Sequence, residues 1–187
     1  KLNQQSTAIA TNTATAFMLK ALNFRKLLDI GNITNAEHKD NILKILSESA
    51  ALLKFDRASP IAILEVVIER SALAFAHVEG DYIPGKIKSD QNYYEADFLS
   101  ALNQLISQPG AVIDIGANIG NHTVYFAKST NRKIIAFEPE PLNHLCLLAN
   151  IALNNISSQV QAHEIALGNS DESITIKMAI EGNHVYF

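Results

Sequence analysis

The chain has 187 residues, 48% of them hydrophobic, and a formal net charge of −4. This length fits one domain with an appendage, and the acidic balance gives no electrostatic reason to bind nucleic acid or an anionic membrane surface. The sequence contains no run of about 18 uncharged apolar residues, so it does not predict a transmembrane helix. The single cysteine, Cys146, excludes a disulfide or a cysteine zinc site within the chain. We therefore expect a cytoplasmic protein.

Residues 1–80 have a helical pattern and are expected to form an N-terminal helical region. A first helix is predicted around Phe17–Leu28, and a second over Ala36–Lys54, where the apolar residues repeat at the 3.6-residue period. A third is predicted over Pro60–Leu73, because serine followed by proline is typical of a helix start.

Residues 81–187 are expected to form the main domain, after turns at Gly80-Asp81 and Pro84-Gly85. Strands and helices then alternate, which predicts an α/β fold with a parallel sheet and right-handed crossovers. The predicted helices are Tyr93–Ser107, Gly120–Lys128 and Pro141–Asn154, and the predicted strands are Ala111–Ile115, Lys133–Phe137 and Gln159–Ile165. Alternation of polar and apolar residues over Ser173–Phe187 predicts a hairpin.

A glycine-rich turn carries the clearest chemical signal. An apolar strand ending in Asp114 leads into a helix through a turn that contains Gly116 and Gly120, and such glycines let the backbone approach a ligand. Glu138 lies at the tip of the next strand, 24 residues after Asp114, where a carboxylate can accept hydrogen bonds from both hydroxyls of a ribose. The sequence therefore predicts a nucleoside site, with the alternative that Glu138 only caps the helix beginning near Pro141.

The residues of the turn favour one nucleoside over others. A dinucleotide site of the G-x-G-x-x-G type would need glycine at positions 118 and 121, and both are asparagine. Asp114 at the mouth of the turn would repel a phosphate but suits an ammonium group, and no phosphate-binding loop of the G-x-x-x-x-G-K type is present. S-adenosylmethionine, which has an amino group, a sulfonium and a ribose but no phosphate, matches better than a nicotinamide cofactor.

These segments together resemble the FkbM family of methyltransferases. The resemblance covers about residues 92–176, and its elements are the turn Asp114–Thr123, Phe137–Pro141, Asn150 with Asn154, Ala166–Gly168, and Tyr94-Glu95 ahead of Pro109-Gly110. It implies a Rossmann-like class I methyltransferase sheet, of which this chain would hold the N-terminal half behind the helical region. It also implies transfer of a methyl group to a hydroxyl of a sugar, a glycan or a secondary metabolite.

The resemblance assigns the cofactor site residue by residue. Asp114, Gly116, Asn118 and Gly120 would line the methionine part, Glu138 would hold the ribose, and Pro139 and Ala166 would border the adenine. The full set expected to bind S-adenosylmethionine is Asp114, Gly116, Ala117, Asn118, Gly120, His122, Thr123, Glu138, Pro139 and Ala166. No catalytic base is assigned and no metal is expected, because no two histidines have ligand spacing on one element.

Two further expectations concern the protein as a whole. The alternative to an enzyme is a non-catalytic cofactor-binding or structural module of a larger biosynthetic protein. We expect the sheet to continue beyond Phe187, which would leave the strand Ala111–Ile115 as an exposed apolar edge. The chain is then expected to self-associate through that edge or through its N-terminal helices.

Three side chains outside the expected cofactor site are interpreted as structural or solvent-facing. Cys146 shares a helical stripe with leucines and is predicted to lie in the core. His144 is predicted to face solvent, and His163 is predicted to have a structural role in its strand.

Overall fold

The computed structural model describes residues 36–52, 60–169, 177–178 and 185–186. The helix predicted around Phe17–Leu28 lies outside these residues. The described helices are α1 (Ala36–Leu52), α2 (Tyr82–Asp90), α3 (Ala96–Leu105), α4 (Asn121–Ser129) and α5 (Pro141–Leu153). The described strands are β1 (Ile61–Ile68), β2 (Ser71–Val78), β3 (Val112–Ile115), β4 (Ile134–Phe137), β5 (Val160–His163), β6 (Lys177–Met178) and β7 (Val185–Tyr186).

Helix α1 confirms the second predicted helix. Ile42, Leu46 and Ser49 are buried at spacings of four and three residues, so one stripe of the helix faces the protein. Ile42 and Leu46 pack in a hydrophobic cluster with Ala76 of β2 and Ala149 of α5. The helix thus covers the hairpin and α5 together.

The helix predicted over Pro60–Leu73 is wrong, because β1 and β2 form an antiparallel hairpin there. The two strands pair along their whole length, from Ile61 opposite Val78 to Ile68 opposite Ser71. Five of the eight residues of β1 are β-branched, which favours a strand. Burial also alternates at its end, where Val66 and Ile68 are buried and their neighbours are exposed, the period of a strand.

Helix α2 replaces the turn predicted at Pro84-Gly85. Pro84 is the third residue of the helix, and the first turn of a helix has no internal acceptors for its N–H groups, so the missing N–H of proline costs nothing there. Pro84 and Ile87 are buried on the inner face. Helix α3 confirms the predicted helix over Tyr93–Ser107 and buries Leu99.

Strands β3, β4 and β5 form a parallel sheet in that order, as the alternating pattern predicted. Helices α4 and α5 connect successive strands, and Ile134 and Ala136 of β4 are completely buried. On the opposite face, Ile113 and Ile115 of β3 are exposed. Because parallel strands end at the same edge of a sheet, the segments that follow β3 and β4 come together there.

One hydrophobic cluster joins the hairpin to the sheet. It includes Val66 and Phe75 of the hairpin, Leu99 of α3, Ile134 of β4 and Leu147 of α5. The hairpin lies in the region predicted to be wholly helical, and that prediction is corrected for residues 61–78. The domain boundary after residue 80 stays a prediction.

Helix α5 is covered on all sides, since the sheet, the hairpin and α1 surround it. Cys146 is buried as predicted, and burial raises the pKa of its thiol. His144 is also buried, so its predicted exposure is wrong; with neighbours on every side, this helix has no solvent-facing stripe at that position. No helix among the described residues is long and apolar enough to cross a bilayer.

The end of the described chain agrees with the hairpin predicted over Ser173–Phe187. Strands β6 and β7 pair antiparallel, with Lys177 opposite Tyr186 and Met178 opposite Val185. The other residues of that prediction lie outside the described part.

Candidate functional site

The candidate site lies at the carboxyl ends of β3 and β4. The glycine turn, residues 116–120, follows β3, and its first two amides donate to the last residue of β4: Gly116 N and Ala117 N lie 2.9 and 3.0 Å from Phe137 O. The turn is therefore fixed against the start of the Glu138 segment.

The Glu138 carboxylate joins the two segments. Its Oε2 accepts a hydrogen bond from Asn118 N at 2.7 Å, and its Oε1 accepts one from Glu140 N at 2.8 Å. The residue is only 5% exposed, so both bonds form in a largely desolvated setting. The sequence had placed Glu138 at the strand tip; the structure adds that it holds the glycine turn directly.

Glu140, and not Glu138, caps helix α5. The Glu140 side chain accepts from Leu142 N at 3.1 Å and from Asn143 N at 2.6 Å, satisfying the first free amides of the helix. The interpretation of Glu138 as the cap is therefore wrong. An acidic residue directly before Pro141 is the sequence signal that could have identified the cap.

Negative charge is concentrated around Glu138. Burial raises the pKa of its carboxyl, hydrogen bonds from the backbone of Glu140 and Asn118 lower it, and the charges of Glu140 and Asp114 raise it further. The pKa of Glu164, beyond β5, is raised by burial and by Glu140. This edge of the sheet therefore favours a cationic group over a phosphate.

Asp114 is oriented by a hydrogen bond from helix α4. Thr123 Oγ1 donates to Asp114 Oδ2 at 2.5 Å, and Thr123 is completely buried. Thr123, predicted to bind the cofactor, thus orients a second predicted residue. Asp114 is half-buried at the mouth of the turn.

The two glycines of the turn have different surroundings. Both have left-handed φ angles, 76° at Gly116 and 91° at Gly120. A Cβ on Gly116 would have no atom within 4 Å, so the backbone is open there, whereas a Cβ on Gly120 would lie 2.6 Å from Leu147 Cδ1. Gly116 therefore leaves space beside the turn, and Gly120 lets the turn pack on α5.

Asn121 ties the segment before α3 to the start of α4. Its Nδ2 donates to Tyr94 O at 2.9 Å, and its Oδ1 accepts from Tyr94 N at 3.1 Å. This pairing brings Glu95 Oε2 to 3.2 Å from Nε2 of His122, another predicted cofactor residue. In the sequence, Asn121 stood out only because a dinucleotide site would need glycine at that position. Its contact with Tyr94 was not predicted.

The remaining predicted residues lie around the same edge. Ala117 is buried in the turn, Pro139 is half-buried next to Glu138, and Ala166 is half-buried three residues after β5. Their contacts with a cofactor stay predictions. The ring of His163 stacks on that of Phe137 at 5.2 Å between centroids, a structural contact. In the described part of the chain, no group of three or more acidic, histidine or cysteine residues is arranged to hold a metal ion.

Comparison with known proteins identifies the class of protein that this chain resembles. It is similar to Methyltransferase 1 of Beauveria bassiana, with 33% identity over 102 residues, and to methyltransferase sdnD of Sordaria araneosa, with 36% identity over 101 residues. The similarity covers 54% of this chain and 37% and 36% of the two relatives. Over about half its length the chain is thus homologous to methyltransferases.

No protein-family model matches the chain, so membership of the FkbM family stays a prediction. Among solved structures, a transferase of Pyrococcus horikoshii is similar over 70% of this chain and 50% of its own, with 17% identity and a TM-score of 0.43.

Proposed function

We propose that this chain is the cofactor-binding part of an S-adenosylmethionine-dependent methyltransferase that acts on a hydroxyl of a sugar, a glycan or a secondary metabolite. The observation that carries the proposal is the Glu138 carboxylate, which links the tip of β4 to the glycine turn after β3. The homology to proteins named methyltransferase supports the same reaction class.

The residues at this edge fit the parts of S-adenosylmethionine. Each oxygen of Glu138 has two lone pairs and gives one to a backbone amide, so the others can accept the two ribose hydroxyls. The open space beside Gly116 allows a ligand to approach the backbone. Asp114 and Glu140 supply negative charge that suits the ammonium and the sulfonium.

A dinucleotide cofactor fits this edge of the sheet less well than S-adenosylmethionine does. Asn118 has a left-handed φ of 52°, and its side chain accepts a hydrogen bond from Ile119 N at 2.8 Å, so a side chain occupies the position where that cofactor class requires glycine. Asn121 is buried and paired with Tyr94. A pyrophosphate would also face the negative charges of Glu138 and Asp114, which repel it.

Methyl transfer from S-adenosylmethionine requires alignment of the methyl group with the acceptor more than it requires catalytic side chains. When bound, the cofactor supplies an electrophilic methyl group, and the protein must hold it in line with the acceptor oxygen. Glu138 would fix the ribose and the glycine turn the methionine part. The group that takes the proton from the acceptor is not assigned among the described residues.

Calorimetric titration of S-adenosylmethionine and, separately, NAD into the 187-residue chain tests the proposal. We expect S-adenosylmethionine to bind in preference, and Glu138→Ala to raise its Kd about tenfold or more, because hydrogen bonds to an ionised group are lost. Glu164→Gln is the matched control, since it removes a carboxylate from the same edge without touching the glycine turn. Its Kd should stay within about twofold of the wild type.

Preference for NAD would contradict the proposal. Failure of the well-folded chain to bind either cofactor would also overturn it and would favour a structural module.

The pH dependence of binding supplies a second test. Ribose hydroxyls donate to the ionised form of Glu138, whose pKa is raised, so the Kd should rise as the pH falls through that raised pKa. A bound cation also stabilises the ionised form, so binding should release protons, which titrations in buffers of different ionisation enthalpy would measure. Glu138→Gln should remove both effects; an unchanged pH profile in that variant would exclude Glu138 as the group responsible.

A further inference from the structure

Asn150 of α5 and Asn154, which directly follows that helix, bind the edge of β2 that is not paired with β1. Asn150 and Asn154 are one helical turn apart and 0% and 2% exposed. Asn150 accepts from Ala76 N at 2.5 Å and donates to Ala76 O at 3.1 Å. Asn154 accepts from Ala74 N at 3.1 Å and donates to Ala74 O at 2.7 Å. Each amide therefore pairs with one residue of the strand, as a neighbouring strand would.

The two asparagines differ in their remaining hydrogen bond. Asn154 Nδ2 donates to the carbonyl of Asn150, in the last turn of α5, at 2.7 Å. Asn150 Nδ2 instead donates to Ile119 O, in the glycine turn, at 2.7 Å. Both hydrogens of the Asn150 amide are thereby used, one on the hairpin and one on the turn.

The Ile119 carbonyl is buried and lies between two residues of the turn whose amides make hydrogen bonds. Ile119 is 1% exposed, so its carbonyl has no ready access to water if the amide is removed. The residue before it, Asn118, donates to Glu138, and the residue after it, Gly120, donates to Ala117 O at 2.8 Å. A shift of the Ile119 peptide to find another donor would disturb both contacts.

We propose that Asn150 is a positioning residue of the glycine turn, fixing the Ile119 carbonyl so that the turn stays in register with Glu138. The consequence for cofactor affinity rests on the proposed function; the consequence for the turn itself does not. Asn150 acts through the turn and does not touch the cofactor. The same side chain makes the β1–β2 hairpin part of the scaffold of the site.

Hydrogen exchange in the ligand-free protein tests the turn directly, with Asn154→Ala as the matched control for Asn150→Ala. Each variant loses the pairing with one alanine of β2, but only Asn150→Ala loses the bond to the turn. After correction for global stability, measured by urea unfolding, the amides of Asn118 and Gly120 should exchange about tenfold faster in Asn150→Ala. In Asn154→Ala they should exchange at the wild-type rate.

Titration with S-adenosylmethionine gives the second readout. Asn150→Ala should raise the Kd about tenfold, and Asn154→Ala should leave it within about twofold, although both lower stability. Equal exchange rates in the two variants, or an unchanged Kd for Asn150→Ala, would overturn the proposal. If the wild-type chain does not bind S-adenosylmethionine, the proposed function fails, and the exchange comparison alone decides the role of Asn150.

A pair of isosteric variants guards against misfolding caused by a cavity. Asn150→Asp and Asn154→Asp keep the volume and one acceptor but replace the amide donors. Faster exchange of the turn only in Asn150→Asp would support the proposal, and faster exchange in both would overturn it.

Discussion

Gly116 and Gly120 show how one residue type serves two purposes within a single turn. Both adopt left-handed backbone angles, which cost other residues about 1–2 kcal/mol. Only at Gly120 is the space beside the backbone already filled, by the completely buried Leu147. Gly120 is thus needed for packing, whereas Gly116 leaves the approach to the site open.

This difference predicts that the same substitution has different consequences at the two glycines. Gly120→Ala should lower the free energy of unfolding by about 2–4 kcal/mol, since overpacking adds to backbone strain. Gly116→Ala should lower it by only about 1–2 kcal/mol but should weaken the binding of S-adenosylmethionine, because the new methyl group enters the open space. Urea unfolding and calorimetry measure the two effects; equal losses of stability would contradict this assignment.

The sequence predicted the charged and glycine residues of the candidate site but not the hydrogen bonds that hold them. The spacing of Asp114 and Glu138 follows from the order of strands and could be read from the pattern. The hydrogen bonds of Asn121 and Asn150 join residues 27 and 31 positions apart, so they depend on tertiary packing that no local pattern encodes. Asparagine is also common at turns and caps, which conceals such a role.

Among the elements, the β1–β2 hairpin has an unusual turn. Glu69 and Arg70 form the two-residue loop with φ angles of 49° and 69°, so both are left-handed, as in a type I′ turn. Asparagine followed by glycine is the preferred pair in that turn.

Replacing the loop should therefore stabilise the protein. The double variant Glu69→Asn with Arg70→Gly should raise the free energy of unfolding by about 1 kcal/mol, measured by urea unfolding. Asparagine and glycine placed instead at Lys88 and Ser89, within helix α2, should destabilise and serve as the control. A loss of stability in the loop variant would mean that its side chains make contacts that outweigh the backbone strain.

The same turn explains why the hairpin was not predicted. Glutamate and arginine are not turn residues, so the two strands read as one continuous apolar segment behind a proline. Strands β3, β4 and β5 were predictable because polar or glycine-containing segments bound each of these short apolar runs. Helix α2 was missed because Pro84 and Gly85 suit a turn as well as they suit the first turn of a helix.

At the scale of the whole molecule, the described residues cover one face of the β3–β4–β5 sheet less than the other. Ile113 and Ile115 are 60% and 66% exposed, and in the described part of the chain β3 pairs only with β4. An apolar strand at the edge of a sheet tends to pair with another chain.

We accordingly expect the isolated chain to self-associate with increasing concentration, as seen by sedimentation velocity. Substituting Ile113 and Ile115 by threonine should shift the chain towards monomer without loss of the fold. Val67→Thr is the control, because Val67 is equally exposed, at 63%, but lies in the hairpin. A monodisperse wild-type monomer that unfolds cooperatively would contradict the expectation.

The pairing of α5 with β2 also sets a geometric limit on this part of the protein. Four residues of a helix rise about 6.0 Å and two residues of a strand about 6.8 Å, so the two repeats nearly coincide over one step and drift by about 0.8 Å with each further step. The next helical position is Cys146, which carries no amide, and the next strand carbonyl, of Val78, is taken by Asp81 N. The pairing between asparagine side chains and β2 therefore ends after two residues on each side. Removing one residue between positions 150 and 154 would rotate the second amide by about 100° away from the strand, so this segment constrains chain length as well as side-chain identity.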